Sequence, residues 1–258
     1  MKKIYIFISL SMAIVAMGFV HDPDLKQKEV KKSISMGKAK EIKTAISFSV
    51  GKLNINASSN QLTEGSYRFY IDKWKPEFSY NEENEIGYLK IKTIDEKGNR
   101  NFDDKDHSEW NISLNKNIKN DLTIKTIAGE GDIDLQDCNL KRFEFSMAAG
   151  DIKINLRNTS VPDLIFKAAV GSAVIDLSGK WNNDLNAIMK GGVGELTLKL
   201  PSHTGIKLDI HGGLGETHAP GFKKENGTYT NSLFGKTKES LYIDFSGGIG
   251  NVNVQMVD

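Results

Sequence analysis

Gly191-Gly192-Val193-Gly194-Glu195-Leu196-Thr197-Leu198-Lys199-Leu200-Pro201 joins a glycine-rich corner to a run in which every second residue is apolar. That alternation is the signature of a strand with one buried face, and small residues just before it mark a bend where a side chain would obstruct the backbone. The arrangement recurs along the chain. Aligned on the corner glycine it gives Gly131, Gly150, Gly171, Gly194, Gly215 and Gly250, with spacings of 19, 21, 23, 21 and 35 residues. The last gap holds one insertion.

Two residues before each corner stands a small residue: Gly129, Ala148, Ala169, Gly192, Gly213 and Gly248, with Ser49 in that place before Gly51. Nothing bulky is expected there. Two and four residues after the corner come pairs such as Ile152 and Ile154, Leu196 and Leu198, and Val252 and Val254. Seven and five residues before it come Phe143 and Phe145, Leu164 and Phe166, and Ile243 and Phe245. These positions face one core. A unit of about 20 residues with two short strands cannot bury its own apolar face, so neighbouring units must stack. The predicted fold is all-β: a single-domain β-solenoid, right-handed and β-helix-like, built of two-strand rungs.

The boundaries follow from departures from this rhythm. Met1-Lys2-Lys3 and the apolar run Ile4 to Val20, with Ala16 and Gly18 at its end, read as a signal peptide over residues 1–18. The rival reading is an uncleaved anchor, which a 17-residue apolar run makes marginal; removal leaves no membrane span, and the location implied is secreted, periplasmic or cell-surface. Residues 19–43 form a polar, lysine-rich linker, read as a tether or a first edge. The solenoid domain covers 44–258, with an irregular part over 44–119 and regular rungs over 120–258. Within the irregular part, Tyr67 to Ile71, Tyr88 to Lys92 and Trp110 to Leu114 are strand candidates. The rung at Gly215 ends at Pro220, Gly221 to Lys238 is a polar excursion, and Leu241 to Val254 is the closing rung.

Composition removes several functions. Thirty-four basic residues against 33 acidic give a net charge of +1, without the footprint of a nucleic-acid binder. Cys138 is the only cysteine, so no intrachain disulfide forms, and a buried thiol acting as a small hydrophobe is the expectation. The glycine strings match neither phosphate-loop nor dinucleotide fingerprints. The loop carrying Asp95, Glu96, Asp103, Asp104 and Asp106 places Gly98 wrongly for a calcium loop and reads as a solvated hairpin tip. His211 and His218 fall at solvent-side positions without a third zinc ligand. Asp132, Asp151, Glu195 and Glu216 would form a lateral acidic ladder, the one feature that favours a carbohydrate-active β-helix. Catalytic, cofactor-binding and metal residues are therefore expected to be none, and the ligand-binding residues stay unknown.

Trp110-Asn111-Ile112-Ser113-Leu114, then Leu122 to Leu135, Gly191 to Pro201, and Gly247-Gly248-Ile249-Gly250 together resemble the bacterial toast-rack domains. These are related to putative adhesin domains and to the C-terminal part of LiaF-type envelope-stress proteins. The resemblance spans about residues 44–258 and rests on structural motifs. It implies an extracytoplasmic all-β domain without a known active site. The function expected is a non-enzymatic interaction or adhesin-like module whose partner is an envelope protein or glycan. A glycan-cleaving enzyme and a purely structural envelope protein are the alternatives. The contact surface is expected on a flat strand face and one irregular edge.

Overall fold

The computed structural model describes residues 26–93 and 108–258. The signal-peptide reading at residues 1–18 and the acidic loop from Asp95 to Asp106 lie outside them. The described strands are β1 (Lys28–Ile34), β2 (Glu41–Asn56), β3 (Thr63–Phe69), β4 (Pro76–Glu83), β5 (Ile86–Thr93), β6 (Ser108–Leu114), β7 (Lys119–Asp134) and β8 (Leu140–Asn155). They continue as β9 (Asp163–Asp176), β10 (Leu185–Pro201), β11 (Gly205–His211), β12 (Thr217–His218), β13 (Phe222–Glu225), β14 (Thr228–Asn231), β15 (Ser240–Ser246) and β16 (Ile249–Val257). Among the described residues no helix is long and apolar enough to cross a membrane.

The fold is the expected all-β stack, with one change in the unit. β2, β7, β8, β9 and β10 are each one long strand of 14 to 17 residues, bent at a central glycine. They pair in parallel and in register, β2-β7-β8-β9-β10. Inward side chains sit at seven, five and three residues before the glycine, then at two and four residues after it. The interval across the bend is odd, so the strand exchanges faces there and both arms can present apolar residues to the same core. Phe143, Phe145, Ile152 and Ile154 of β8 are all buried, as are Leu164, Phe166, Ala173 and Ile175 of β9. Each large buried side chain is worth roughly 1.5 to 3 kcal/mol, so these rows dominate the stability.

The corner glycines are Gly51, Gly129, Gly150, Gly171, Gly194, Gly250 and Gly215, with φ between +123° and +158°. A Cβ at Gly194 would lie 1.7 Å from the carbonyl oxygen of Gly171, and one at Gly150 would lie 1.8 Å from that of Gly129. Both the backbone angle and the distance between rungs therefore demand glycine. The alignment of β7 on Gly131 was displaced by two residues: Gly51 pairs with Gly129, and Gly129 with Gly150. Gly131 instead fills an inward place, between Leu53 and Ile152. Its missing side chain is compensated by Ile152, whose Cδ1 lies 2.2 Å from where a Cβ would stand.

Chain order and spatial order differ at both ends of the stack. β5 and β6 form a rung outside β2, although β7, on the other side of β2, follows them in sequence. At the far end, β15 and β16 insert between β10 and the rung of β11 and β12. The segment expected to close the stack is therefore its second-last layer, because β10 offers its free edge to a partner with a continuous apolar pattern. Antiparallel hairpins finish the ends, β4 on β5 and β14 with β13 on β11. β3 pairs antiparallel with β6 and β1 with β3, so within the described part of the lysine-rich segment β1 is an edge strand, as one of its two readings had it: Val30 and Ile34 pack on the core, and Glu41 opens β2.

Candidate functional site

The residues that sequence reasoning weighed for chemistry are spread apart. The acidic ladder runs through Glu130, not Asp132, because the true corner of β7 is Gly129. Lys52, Glu130 and Asp151 are consecutive in register, while Asp132 pairs with Asn54 and Lys153. Members of this row bind the neighbouring rung: the Asp151 carboxylate accepts the Ser172 N–H at 2.9 Å, and Glu195 accepts Asn253 Nδ2 at 2.5 Å. His211 and His218 lie on opposite arms of one corner, His211 Nε2 standing 3.9 Å from Asp244 Oδ1. Among the described residues no group of three His, Cys, Asp or Glu side chains is placed to hold a metal ion. Cys138 is buried, and burial, helped by Asp134, pushes its thiol up to about 12. It is a packing residue.

The corner itself carries the feature that the sequence reading missed. The residue just before each corner glycine points outward, and in ladder order these are Val50, Ala128, Ala149, Val170, Val193, Ile249 and Leu214. They form one unbroken apolar row along the outside of the bend. Its first three members are half-buried, whereas Val170 is 52% exposed, Val193 47%, Ile249 56% and Leu214 75%. Ile127, also exposed, widens the row where only a small residue was expected. It fits there because on β7 that place faces solvent, whereas a Cβ at Gly192 of β10 would lie 2.0 Å from the carbonyl oxygen of Ala169.

Side-chain volume on the two sides of the bend changes in opposite directions. Three residues before the corner, on the inside, the ladder reads Phe48, Thr126, Met147, Ala168, Gly191, Gly247 and Gly212. Phe48 packs edge-on to Trp110 with ring centroids 5.1 Å apart, and Trp110 packs on Tyr67 at 5.3 Å. At the other end the ring of Phe245 takes the place of missing side chains, 3.2 Å from where a Cβ of Gly191 would be. A cavity of about 60 Å³ remains there, bordered by Phe166, Ile210 and Phe245. Large apolar residues thus fill the corner from within at one end and project from it at the other.

Acceptors and donors flank this ridge without entering it, which leaves a continuous exposed apolar surface at its β9–β16 end. The signal for it was present in the tripeptides Ser-Val-Gly 49–51, Ile-Ala-Gly 127–129, Ala-Val-Gly 169–171, Gly-Val-Gly 192–194, Gly-Leu-Gly 213–215 and Gly-Ile-Gly 248–250. Placing β7 on Gly131 put Glu130 into the row and concealed its uniform character.

A family model described as the N-terminal domain of toast_rack, DUF2154, matches residues 23–165 and 153–199. The chain belongs to the toast-rack family. This toast-rack chain is similar to the solved structure of a putative cell adhesion protein from Clostridium sporogenes ATCC 15579, with 30% identity and a TM-score of 0.71. The match covers 90% of this chain and 100% of that one. A putative adhesin from Bacteroides fragilis NCTC 9343 is 12% identical over 89% of this chain and 98% of its own, with a TM-score of 0.29, too distant for comparison of residues. No curated protein matches the chain.

Proposed function

We propose that this toast-rack protein is an extracytoplasmic, non-enzymatic interaction module of adhesin type, located in the cell envelope or at the cell surface, and that its contact surface is the corner ridge. The observation that carries the reading is the row Val170, Val193, Ile249 and Leu214, four apolar side chains in register and about half or more exposed. Soluble monomers rarely leave such rows open unless something docks there. The full-length similarity to a protein described as a cell adhesion protein supports the same reading. So does the leader-like segment at residues 1–18.

Beads coated with the purified protein should bind cells of the source bacterium. Ile249→Lys with Leu214→Lys should reduce that binding at least several-fold, while Ile188→Lys, an exposed apolar residue away from the corner, should not. Equal binding by the ridge variant and the parent would remove the ridge from the reading. A second reading, glycan cleavage, rests on the open depression of about 340 Å³ over Gly131, bordered by Glu130, Asp132, Asp151 and Lys153. Polysaccharide turnover that disappears in Asp132→Asn would favour it.

A further inference from the structure

From the charges beside the ridge we infer that its partner is a second copy of the chain, related by a twofold axis parallel to the stack. The inference rests on the ridge being a contact surface. At two of the seven rungs the flanks of the ridge carry opposite signs, and Lys52 at the Gly51 rung is the one basic residue on the acidic flank. Four residues before the corner, on one flank, stand Lys125, Lys167 and Lys190. One residue after it, on the other, stand Glu130, Asp151 and Glu195. Lys125 and Glu130 share the Gly129 rung, and Lys190 and Glu195 share the Gly194 rung. All four are exposed, and among the described residues Lys125, Lys190 and Glu130 have no ion-pair partner within the chain.

Two ridges can face each other in two ways that keep their lengths aligned. A half-turn about an axis perpendicular to the stack places lysine flank on lysine flank and acid on acid. A half-turn about an axis parallel to the stack keeps every rung level with its copy and places Lys190 across from Glu195 and Lys125 across from Glu130. Only the second is electrostatically complementary. The ridge is about 29 Å long at the usual strand spacing, and a single narrow ridge of that length fits a reversible dimer rather than an obligate one.

Sheet edges are poorer sites for self-association. β1 carries Lys28, Lys31 and Lys32, and β13 carries Lys223, Lys224 and Glu225. Charged edges of this kind oppose strand-to-strand pairing.

Sedimentation velocity over a concentration series of the purified protein tests the proposal. The parent should pass from monomer to dimer, and Ile249→Lys with Leu214→Lys should remain monomeric. Lys190→Glu alone and Glu195→Lys alone should each raise the dissociation constant about tenfold, since the twofold axis counts every change twice. An equimolar mixture of the two should restore association to within about threefold of the parent, because the mixed pair regains both attractive contacts. Lys125→Glu mixed with Glu130→Lys repeats the test at a second rung. A monomer at every concentration, or a mixture no tighter than its components, would overturn the dimer. So would ridge-dependent binding of the monomer to phosphatidylglycerol vesicles, which would make lipid the occupant. Cell binding that still depends on the ridge in a strictly monomeric protein would leave the interaction module standing and remove only the self-association. Cell binding indifferent to the ridge would remove the reading on which the proposal rests.

Discussion

The two ends of the stack solve the same bend with opposite distributions of mass. At the β2 end the corner is filled from inside by Phe48, which leans on Trp110 and Tyr67, and the outward residues Val50 and Ala128 are half-buried. At the β16 end the inside places hold Gly191 and Gly247, and the bulk has moved outside, to Val193, Ile249 and Leu214. A bend in a parallel stack has to be packed on at least one side. Packing it from within stabilises the monomer, while packing it from without leaves apolar surface for another molecule. One end is filled from within, and the other projects apolar side chains outward.

The largest test of this comparison removes the corner itself. Gly194→Val should cost about 4 kcal/mol or more and lower the melting temperature by about 10 °C or more, because the new side chain meets the Gly171 carbonyl in a left-handed backbone region. Lys199→Thr on the same strand should change stability by about 0.5 kcal/mol at most. Equal melting temperatures for the two would dismantle the stacked-corner account. Next comes a contrast within the inside row. Phe48→Ala should cost about 3 to 5 kcal/mol in chemical denaturation, whereas Gly191→Ala should stay within about 1 kcal/mol, the Phe245 ring yielding a few tenths of an ångström. Similar losses at both would mean that no gradient runs along the corner.

Gly131→Ala sharpens the assignment of the β7 corner. Its methyl would displace only the end of the Ile152 side chain, so a change within about 1 kcal/mol is expected, far less than for Gly150→Ala. Comparable losses would return Gly131 to the corner. The smallest effect belongs to the exposed end of the ridge: Leu214→Lys should alter the melting temperature hardly at all, by about 0.5 kcal/mol or less in stability, while weakening binding.

The alternation after each corner made the core rows readable, and Ile152, Ile154, Leu196 and Leu198 are buried where the period places them. The displaced corner in β7 has a local cause. Gly-Glu-Gly at 129–131 offers two candidates, and the apolar partners Ile133 and Leu135 stand at the right distance from the wrong one. Only pairing with Gly51 and Gly150 chooses between them, and that is a tertiary property. The candidate site was hidden by the same slip, since the place before Gly131 holds Glu130 where the other rungs hold Val, Ala, Ile or Leu. The stacking order at the ends was not legible at all. A rung's sequence reports that it has two neighbours, not which ones.

That order bears on how the protein is made. β11 and β12 leave the ribosome before β15 and β16, yet the edge they lie beside in the finished molecule belongs to those later strands. A chain emerging from its N-terminus can lay β7 through β10 down one upon another as they appear, but the β11–β12 rung, already able to pair with β14, reaches its place only when β15 and β16 have entered beneath it. Strands β15 and β16 thus act as a clasp between two earlier layers. A product truncated before Ser240 would present the bare edge of β10 to every other incomplete chain.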